Sequence, residues 1–161
     1  MKTGDQVSDF ELKDETGTPR TLSALLENGP VVLFFYPIAS SSGCTQEACH
    51  FRDLAAEFAA LGAQPVGISG DHVAAQSTFA GAHSLGYPLL SDEGKEVAKE
   101  LGAKRSWLPG GLATKRVTFV IGQDRRIIEV IASETRFDLH ADGALAALKK
   151  HRTDGNAGHA A

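Results

Sequence analysis

The sequence predicts an α/β fold in which a central mixed sheet is flanked by helices. Between residues 31 and 101, short apolar segments alternate with segments of helical periodicity, and further on two apolar runs are separated by a short turn. Alternating strands and helices favour parallel pairing through helical crossovers, whereas two strands joined by a short turn favour antiparallel pairing. The sheet should therefore contain both kinds of pairing.

The first predicted strands form an N-terminal β-hairpin extension, and the strand after them is predicted to be a central strand of the sheet. The hairpin comprises Phe10-Glu11-Leu12 and Arg20-Thr21-Leu22. The run Val31-Val32-Leu33-Phe34-Phe35-Tyr36 is β-branched and aromatic, and Gly29-Pro30 and Pro37 bound it. Such a run is typical of a strand that is buried on both faces.

A helix is predicted after this strand. Apolar residues recur three or four positions apart as far as Gly62, which is typical of a helix C-terminus. The recurring residues are Ala48, Phe51, Ala55, Phe58 and Leu61. The strand, loop and helix together place Cys44 and Cys49, the only cysteines of the chain, at the start of the helix.

The rest of the chain repeats the alternation and then closes with two strands. The predicted elements are a strand over 65–69, a helix over 73–85, a strand over 89–91, a helix over 95–101, strands over 117–121 and 127–131, and a helix over 142–150. The last two strands should be antiparallel, since a turn at Gly122-Gln123-Asp124 joins them. A βαβ half followed by a ββα half is the order of a thioredoxin-like sheet.

The expected organisation is a single domain over residues 1–150 with a flexible tail over 151–161. A chain of 161 residues is long enough for one core and too short to divide comfortably into two. The tail is rich in Gly, Ala and His and lacks apolar periodicity, which is typical of a mobile terminus.

Composition limits the classes of function. The net charge is −4, and the chain lacks the clustered Lys and Arg that nucleic-acid binding requires. No run approaches the roughly 20 apolar residues of a membrane span, and no basic region precedes an apolar stretch at the N-terminus. We therefore expect a cytoplasmic protein with no nucleic-acid or membrane partner. In a reducing cytosol, two nearby cysteines are more often catalytic or metal-binding than structural.

Cys44 is the predicted nucleophile. A thiol in the first turn of a helix lies at the positive end of the helix dipole, which favours the thiolate. Lowering a thiol pKa by two units takes about 2.7 kcal/mol, whereas a helix terminus supplies about 0.3–1 kcal/mol and at most about 2. A fixed cation is needed in addition, and Arg116 is the candidate because it begins a strand that should run near the active-site loop.

Ionisation of the thiol is not a sufficient activation, because full ionisation raises the thiolate fraction only about 30-fold. The site must also orient the oxidant and stabilise charge as an O–O bond breaks. The hydroxyl of Ser41, the backbone N–H of Cys44 and Arg116 are suitable donors. Pro37, which has no backbone N–H, is expected to shield the thiolate from water.

These residues resemble the active-site pattern of the peroxiredoxins of the AhpC/TSA superfamily, in particular the bacterioferritin-comigratory-protein or Q-type subgroup. The family pattern is Pro, three residues, Thr or Ser, two residues and Cys, which Pro37, Ser41 and Cys44 match. Further matches lie in residues 43–53, 67–69, 88–92 and 116–121, and the resemblance extends from about residue 4 to residue 148. The chain departs from the pattern in having Ser41 for the usual Thr and Ser42 for a common Pro.

The resemblance implies a thiol-dependent peroxidase that reduces hydrogen peroxide and organic hydroperoxides without a cofactor or metal. Cys44 would be the peroxidatic cysteine and Cys49 the resolving one, with Pro37, Ser41 and Arg116 completing the peroxide site. A sulfenic acid on Cys44 would be resolved as an intramolecular Cys44–Cys49 disulfide, the atypical 2-Cys mechanism. Thioredoxin or a similar dithiol would be the reductant, and the expected assembly is a monomer or weak dimer.

The spacing of the two cysteines adds a constraint to this mechanism. In an intact α-helix, Cα atoms five positions apart are separated by about 8.7 Å. A disulfide needs a Cα separation below about 7 Å. We therefore expect the first turn or two of the helix to unwind before Cys49 reaches Cys44.

Three other interpretations remain open. A thioredoxin-like thiol–disulfide oxidoreductase or redox sensor would share the fold, although such enzymes prefer two residues between the cysteines. A metal site from Cys44, Cys49 and His50 would lack a fourth ligand. A binding module without catalysis is compatible with the fold alone.

Two further residues are interpreted without a fixed role in the reaction. Glu47 either orients Arg116 or favours the start of the helix. His140, like the other histidines, is interpreted as a helix-surface residue.

Overall fold

The structure is a computed structural model that describes residues 1–105 and 114–160, with side chains described as far as residue 153. The strands are β1 (Glu11–Lys13), β2 (Pro19–Thr21), β3 (Val31–Phe35), β4 (Gln64–Ser69), β5 (Leu89–Ser91), β6 (Val117–Ile121) and β7 (Ile127–Ala132). The helices are α1 (Leu22–Leu25), α2 (Ser42–Asp53), α3 (Ala55–Ala60), α4 (Val73–His83), α5 (Glu96–Leu101) and α6 (Asp138–Ala160).

The strands form one seven-stranded mixed sheet in the order β2-β1-β5-β4-β3-β6-β7. β3 and β5 each pair parallel with β4, while β6 pairs antiparallel with both β3 and β7. The N-terminal hairpin joins the other edge, where Lys13 of β1 pairs antiparallel with Ser91 of β5. The predicted α/β class, the thioredoxin-like order and the hairpin extension are confirmed.

β3 lies inside the sheet between β4 and β6, and all five of its residues are buried. Alternate side chains of a strand point to opposite faces, so this strand contributes to two apolar layers. Leu33 and Phe35 pack on one face, and Val32 and Phe34 pack on the other. Phe51 of α2 stacks on Phe34 with ring centroids 4.2 Å apart, which holds α2 against the sheet.

Three helix boundaries differ from the predictions. The single helix expected as far as Leu61 is divided into α2 and α3 at Leu54, whose backbone leaves the helical region. The predicted helix over 142–150 begins earlier, at Asp138, and ends at Ala160. The tail over 151–161 is helical as far as Ala160, and its predicted flexibility stays a prediction. The short α1 was not predicted, because four residues carry too little periodicity.

Among the helices within the described ranges, none combines the length and apolar character that a membrane crossing requires.

Gly67 of β4 lies where the core has no room for a side chain. A Cβ built there would be 2.6 Å from Leu89 Cδ2 and 3.0 Å from Phe34 Cζ. Gly67→Ala should therefore lower the free energy of unfolding by about 1–3 kcal/mol through overpacking. Gly81 in α4 is the matched control, because nothing lies within 4 Å of its Cβ position. Gly81→Ala should raise stability by about 0.5–1 kcal/mol, and urea unfolding of both variants would contradict the packing argument if the two changes had the same sign.

Candidate active site

Cys44 lies in the first turn of α2, as the sequence predicts, and its side chain is buried. Ser41 is the N-cap of this helix: its backbone is extended, and its Oγ accepts a hydrogen bond of 3.4 Å from the Cys44 backbone N–H. The sequence predicts that N–H as a donor to the oxidant. In this structure the N–H is engaged by the cap, because an N-cap hydroxyl satisfies donors that lack helical partners.

The loop before α2 is anchored to the sheet by Asp71. The Ala39 backbone N–H donates a hydrogen bond of 2.8 Å to Asp71 Oδ2, and the Ser69 hydroxyl donates one of 2.6 Å to the same oxygen. Gln76 donates in turn to Ser69 Oγ at 3.0 Å. The next loop residue, Ser40, has a φ of 67°, in the left-handed region. Hydrogen bonds from outside the loop thus hold this backbone, in which Ser41 and Ser42 stand in place of the Thr and Pro of the pattern described above.

Arg116 points at Cys44 from the far side of the site. Its Nη2 donates to Cys44 Sγ at 3.4 Å, and its Nη1 donates to Glu47 Oε1 at 3.3 Å. The guanidinium carbon lies 4.7 Å from the centre of the Phe137 ring, within the range of a cation–π contact. Arg116 is only 6% exposed, so its charge acts on the sulfur through little water. The predicted proximity of Arg116 and Cys44 is present in the structure.

Sheet topology explains how two residues 72 positions apart meet. β6 runs antiparallel to β3, and the register pairs Val117 with Phe35 at the end of β3. Arg116 comes one residue before Val117 and therefore lies where the chain leaves β3 toward α2. Its backbone N–H is fixed by a 3.2 Å hydrogen bond to Glu134 Oε1.

Glu47 orients Arg116, which decides between the two interpretations of this residue. It is the sixth residue of α2, beyond the first turn, and it is completely buried. Burial raises the pKa of Glu47 to about 8, while the neighbouring Arg116 acts in the opposite direction. A carboxyl group so placed holds the guanidinium by a charge-assisted hydrogen bond when it is ionised.

His140 is buried, so its interpretation as a helix-surface residue is wrong. The ring Nδ1 lies 2.7 Å from Thr118 Oγ1, Nε2 lies 2.9 Å from the Ser133 carbonyl oxygen, and Nε2 is also 3.4 Å from Glu47 Oε2. Burial is the main cause that lowers the pKa of His140. The inward face of α6 extends from this residue through Ala144 to Leu148.

Phe137 and His140 are site residues whose place at the site was not predicted from the sequence. The antiparallel register of β6 and β7 pairs Val117 with Ala132. The chain after Ala132 therefore returns to the end of the sheet where Arg116 lies. This hairpin geometry is the signal that points to residues 133–140 as neighbours of the site.

The structure keeps Cys49 apart from Cys44. Both thiols are free, Cys49 is half-buried, and the two residues share the intact helix α2. Their Cα atoms are thus separated by the helical distance of about 8.7 Å, too far for a disulfide. Pro37 is half-buried at the start of the loop, two residues after β3 ends.

Metal ligation is not offered by the side chains described here. Within that part of the chain, no three His, Cys, Asp or Glu side chains are grouped closely enough to hold an ion.

The chain matches a known protein family. The model of the AhpC/TSA family matches residues 3–130, which is most of the chain. The chain belongs to the AhpC/TSA family of peroxiredoxins. Membership of this family supports a thiol-dependent peroxidase activity. The buried thiol beside a guanidinium is compatible with that chemistry.

Individual relatives agree with the family assignment. Peroxidoxin BcpB from Mycobacterium tuberculosis, a crystal structure, is 58% identical with a TM-score of 0.89, covering 93% of this chain and 97% of that one. The chloroplastic peroxiredoxin Q of Arabidopsis thaliana is 38% identical, covering 92% of this chain and 68% of that protein. The Xanthomonas campestris bacterioferritin comigratory protein, studied for its alkyl peroxide reduction activity, is 30% identical with a TM-score of 0.78, covering 88% and 91%.

Gly43 offers a direct test of how tightly the site is packed. A Cβ at this position would lie 2.7 Å from Phe137 Cζ and 3.2 Å from Arg116 Nη2. Gly43→Ala should displace both groups and lower the rate constant for peroxide reduction about 10- to 100-fold. Alanine favours a helix over glycine by about 0.5–1 kcal/mol, which offsets part of the lost packing.

The rate constant is measured by stopped-flow peroxide consumption, and stability by urea unfolding. Gly81→Ala, which adds a methyl group far from the site, should leave the rate constant unchanged. A Gly43→Ala variant with the wild-type rate constant would show that Phe137 and Arg116 do not need their observed positions.

Proposed function

We propose that this peroxiredoxin reduces hydrogen peroxide and organic hydroperoxides with Cys44 as the attacking thiol. The observation that carries the proposal is the 3.4 Å contact between Arg116 Nη2 and Cys44 Sγ at the N-terminus of α2. The thiolate sulfur bonds to one peroxide oxygen, the O–O bond breaks, and the departing oxygen takes a proton to become water or an alcohol. Cys44 is oxidised to a sulfenic acid.

The donors of the site stabilise the charge that develops on the departing oxygen. Arg116 keeps its positive charge at any working pH, so it serves both the thiolate and the breaking bond. The Ser41 oxygen already accepts from the Cys44 N–H, and its hydroxyl hydrogen remains available to donate to the peroxide. Pro37 brings no backbone donor to the loop and shields the thiolate.

Organic hydroperoxides are included among the substrates because the segments that form the site carry large apolar side chains. Phe137 covers one face of Arg116, and Ile38 and Leu139 are exposed large apolar residues on the loop before α2 and at the start of α6. A similar protein, that of X. campestris, is described by its alkyl peroxide reduction activity.

Cys49 resolves the sulfenic acid after local unwinding of α2. The Cys49 thiol condenses with the Cys44 sulfenic acid, which forms the disulfide and releases one water. The C-terminal half of the helix is held by the Phe51–Phe34 stack and by Arg52, which donates to the His83 carbonyl at 2.7 Å. Unwinding is therefore confined to the turns before Phe51, which contain both cysteines.

A thioredoxin-type dithiol then returns the enzyme to its starting state. Two electrons from the dithiol reduce the Cys44–Cys49 disulfide, and the donor leaves as a disulfide. We place this cycle in the cytoplasm, on a monomer or weak dimer, with no nucleic-acid or membrane partner.

Cysteine variants test this cycle. Cys44→Ser should abolish turnover, because it removes the attacking sulfur. Cys49→Ser should consume about one equivalent of peroxide as Cys44 becomes a sulfenic acid, and a second equivalent where the sulfenic acid is oxidised further to sulfinic acid. Peroxide titration with mass spectrometry of both variants and the wild type gives the result. Full turnover by Cys44→Ser would refute the assignment of the attacking thiol. If the oxidised wild type contained a disulfide other than an intramolecular Cys44–Cys49 bond, the proposed resolving step would be wrong.

Tyr87 restrains the helix that must unwind. Its hydroxyl donates a buried hydrogen bond of 2.6 Å to the Ala48 carbonyl, one residue before Cys49. Removing a hydrogen bond worth about 0.5–1.5 kcal/mol should accelerate disulfide formation about 2- to 10-fold in Tyr87→Phe. Rapid-quench alkylation after a peroxide pulse measures the step.

Tyr36→Phe is the matched control for this change. The Tyr36 hydroxyl donates to Gln76 of α4, so its loss should not accelerate disulfide formation. Equal acceleration in both variants would show that general loosening of the core, and not the bond to Ala48, governs the step.

A further inference from the structure

Glu47 and His140 form a buried pair behind Arg116. Both side chains have no exposed surface. One carboxylate oxygen of Glu47 accepts from Arg116 Nη1, and the other, Oε2, has no hydrogen bond among the described residues within the usual limits. His140 Nε2 lies 3.4 Å from that second oxygen.

The surroundings of His140 determine which ring nitrogen carries the proton. The carbonyl oxygen of Ser133 only accepts hydrogen bonds, so Nε2, 2.9 Å away, carries a hydrogen. Burial favours the neutral ring. Nδ1 of a neutral ring is then an acceptor and takes the hydroxyl hydrogen of Thr118 at 2.7 Å. The Nε2–H group therefore lies between the Ser133 carbonyl and Glu47 Oε2.

Both oxygens of Glu47 thus face donors, an arrangement that stabilises the ionised carboxylate relative to the protonated acid. A protonated Oε2 would place its hydrogen against the Nε2–H group of His140. Burial works against ionisation, since it raises the pKa of Glu47 to about 8. Because burial opposes ionisation of Glu47, each donor to its carboxylate increases the ionised fraction. Only the ionised group makes the stronger, charge-assisted bond to Arg116.

We propose that His140 is a positioning residue of the peroxidase site, whose Nε2–H group supports the carboxylate of Glu47 and thereby holds the Arg116 guanidinium against Cys44. The inference rests on Cys44 being the attacking thiol. His140 touches neither the sulfur nor the oxidant, and it acts through Glu47 and Arg116.

Other charged groups act on this pair from three segments. Arg116, before β6, opposes a positive charge on His140, whereas Glu134 after β7 and Asp138 at the start of α6 favour one. Glu134 also opposes ionisation of Glu47. Variants of His140 change the donor to Glu47 while leaving all of these groups in place.

The test compares His140→Leu with His140→Gln, each in the Cys49→Ser background, where only the oxidation of Cys44 is followed. Leucine removes the donor, while glutamine places an amide N–H group near the position of Nε2. Rapid-quench mass spectrometry gives the rate constant with hydrogen peroxide between pH 5 and pH 9.

The leucine variant should react about tenfold more slowly at pH 7, the size expected when a charge-assisted bond loses its support. The pH at which the rate constant reaches half its maximum should rise, because Glu47 then needs a higher pH to ionise. The glutamine variant should recover to within about threefold of the wild type. His50→Leu is the matched control: it breaks another bond between α2 and α6, the 2.8 Å contact of His50 with Asp142, and should leave the rate constant unchanged.

An unchanged or faster leucine variant, or a glutamine variant no better than leucine, would overturn the role of His140. An equal loss in His50→Leu would do the same, because it would point to loosening of the helix interface. If the leucine variant does not fold, Thr118→Val replaces it: this change removes the partner of Nδ1 and should shift the pH profile in the same direction. A wild type that consumes peroxide without oxidising Cys44 would instead refute the proposed function.

Discussion

The buried guanidinium of Arg116 is the constraint on which the rest of the site depends. Removing a charge from water costs on the order of several kcal/mol unless partners replace the lost hydration. Here the partners are the Cys44 sulfur, the Glu47 carboxyl group and the face of Phe137, while its Nε finds no hydrogen bond among the described residues. Because Glu47 and the Cys44 sulfur share one cation, a change at either partner affects how Arg116 holds the other. The reactivity of the sulfur is therefore set by the whole cluster, not by the helix dipole alone.

The fold brings this cluster together from three segments that meet at one end of the sheet. α2 supplies Cys44 and Glu47, the residue before β6 supplies Arg116, and the segment after β7 supplies Phe137 and His140. β3 is an interior strand, the chain leaving it enters the site, and its antiparallel neighbour β6 starts there. A one-residue slip of β6 would turn its side chains to the opposite face of the sheet. The buried register of β3 and β6 thus positions the chemistry as well as the core.

Sequence patterns predicted the parts of this arrangement that repeat, and missed the parts that depend on tertiary contacts. The strands and the position of Cys44 follow from apolar runs and from a helix start, and Arg116 follows from the neighbouring strand. His140 was misplaced because polarity alone predicts exposure, whereas its burial depends on Thr118, Ser133 and Glu47, which lie far apart in sequence. The division at Leu54 was also missed, since neither Gly nor Pro marks it.

The two proposed steps place opposite demands on α2, and its sequence meets them in different halves. Attack needs the helix intact, because the N-terminal turn and Glu47 organise the site around the thiol. Resolution needs the same turns to open. Ser42, Gly43 and Thr45 are weaker helix formers than alanine, so the first turn depends on the Ser41 cap and on tertiary contacts. Phe51 stacks on Phe34 and fixes the second half. In the proposed cycle, oxidation of Cys44 would change the group that Arg116 holds, and this contact lies in the half of the helix that has the least intrinsic stability.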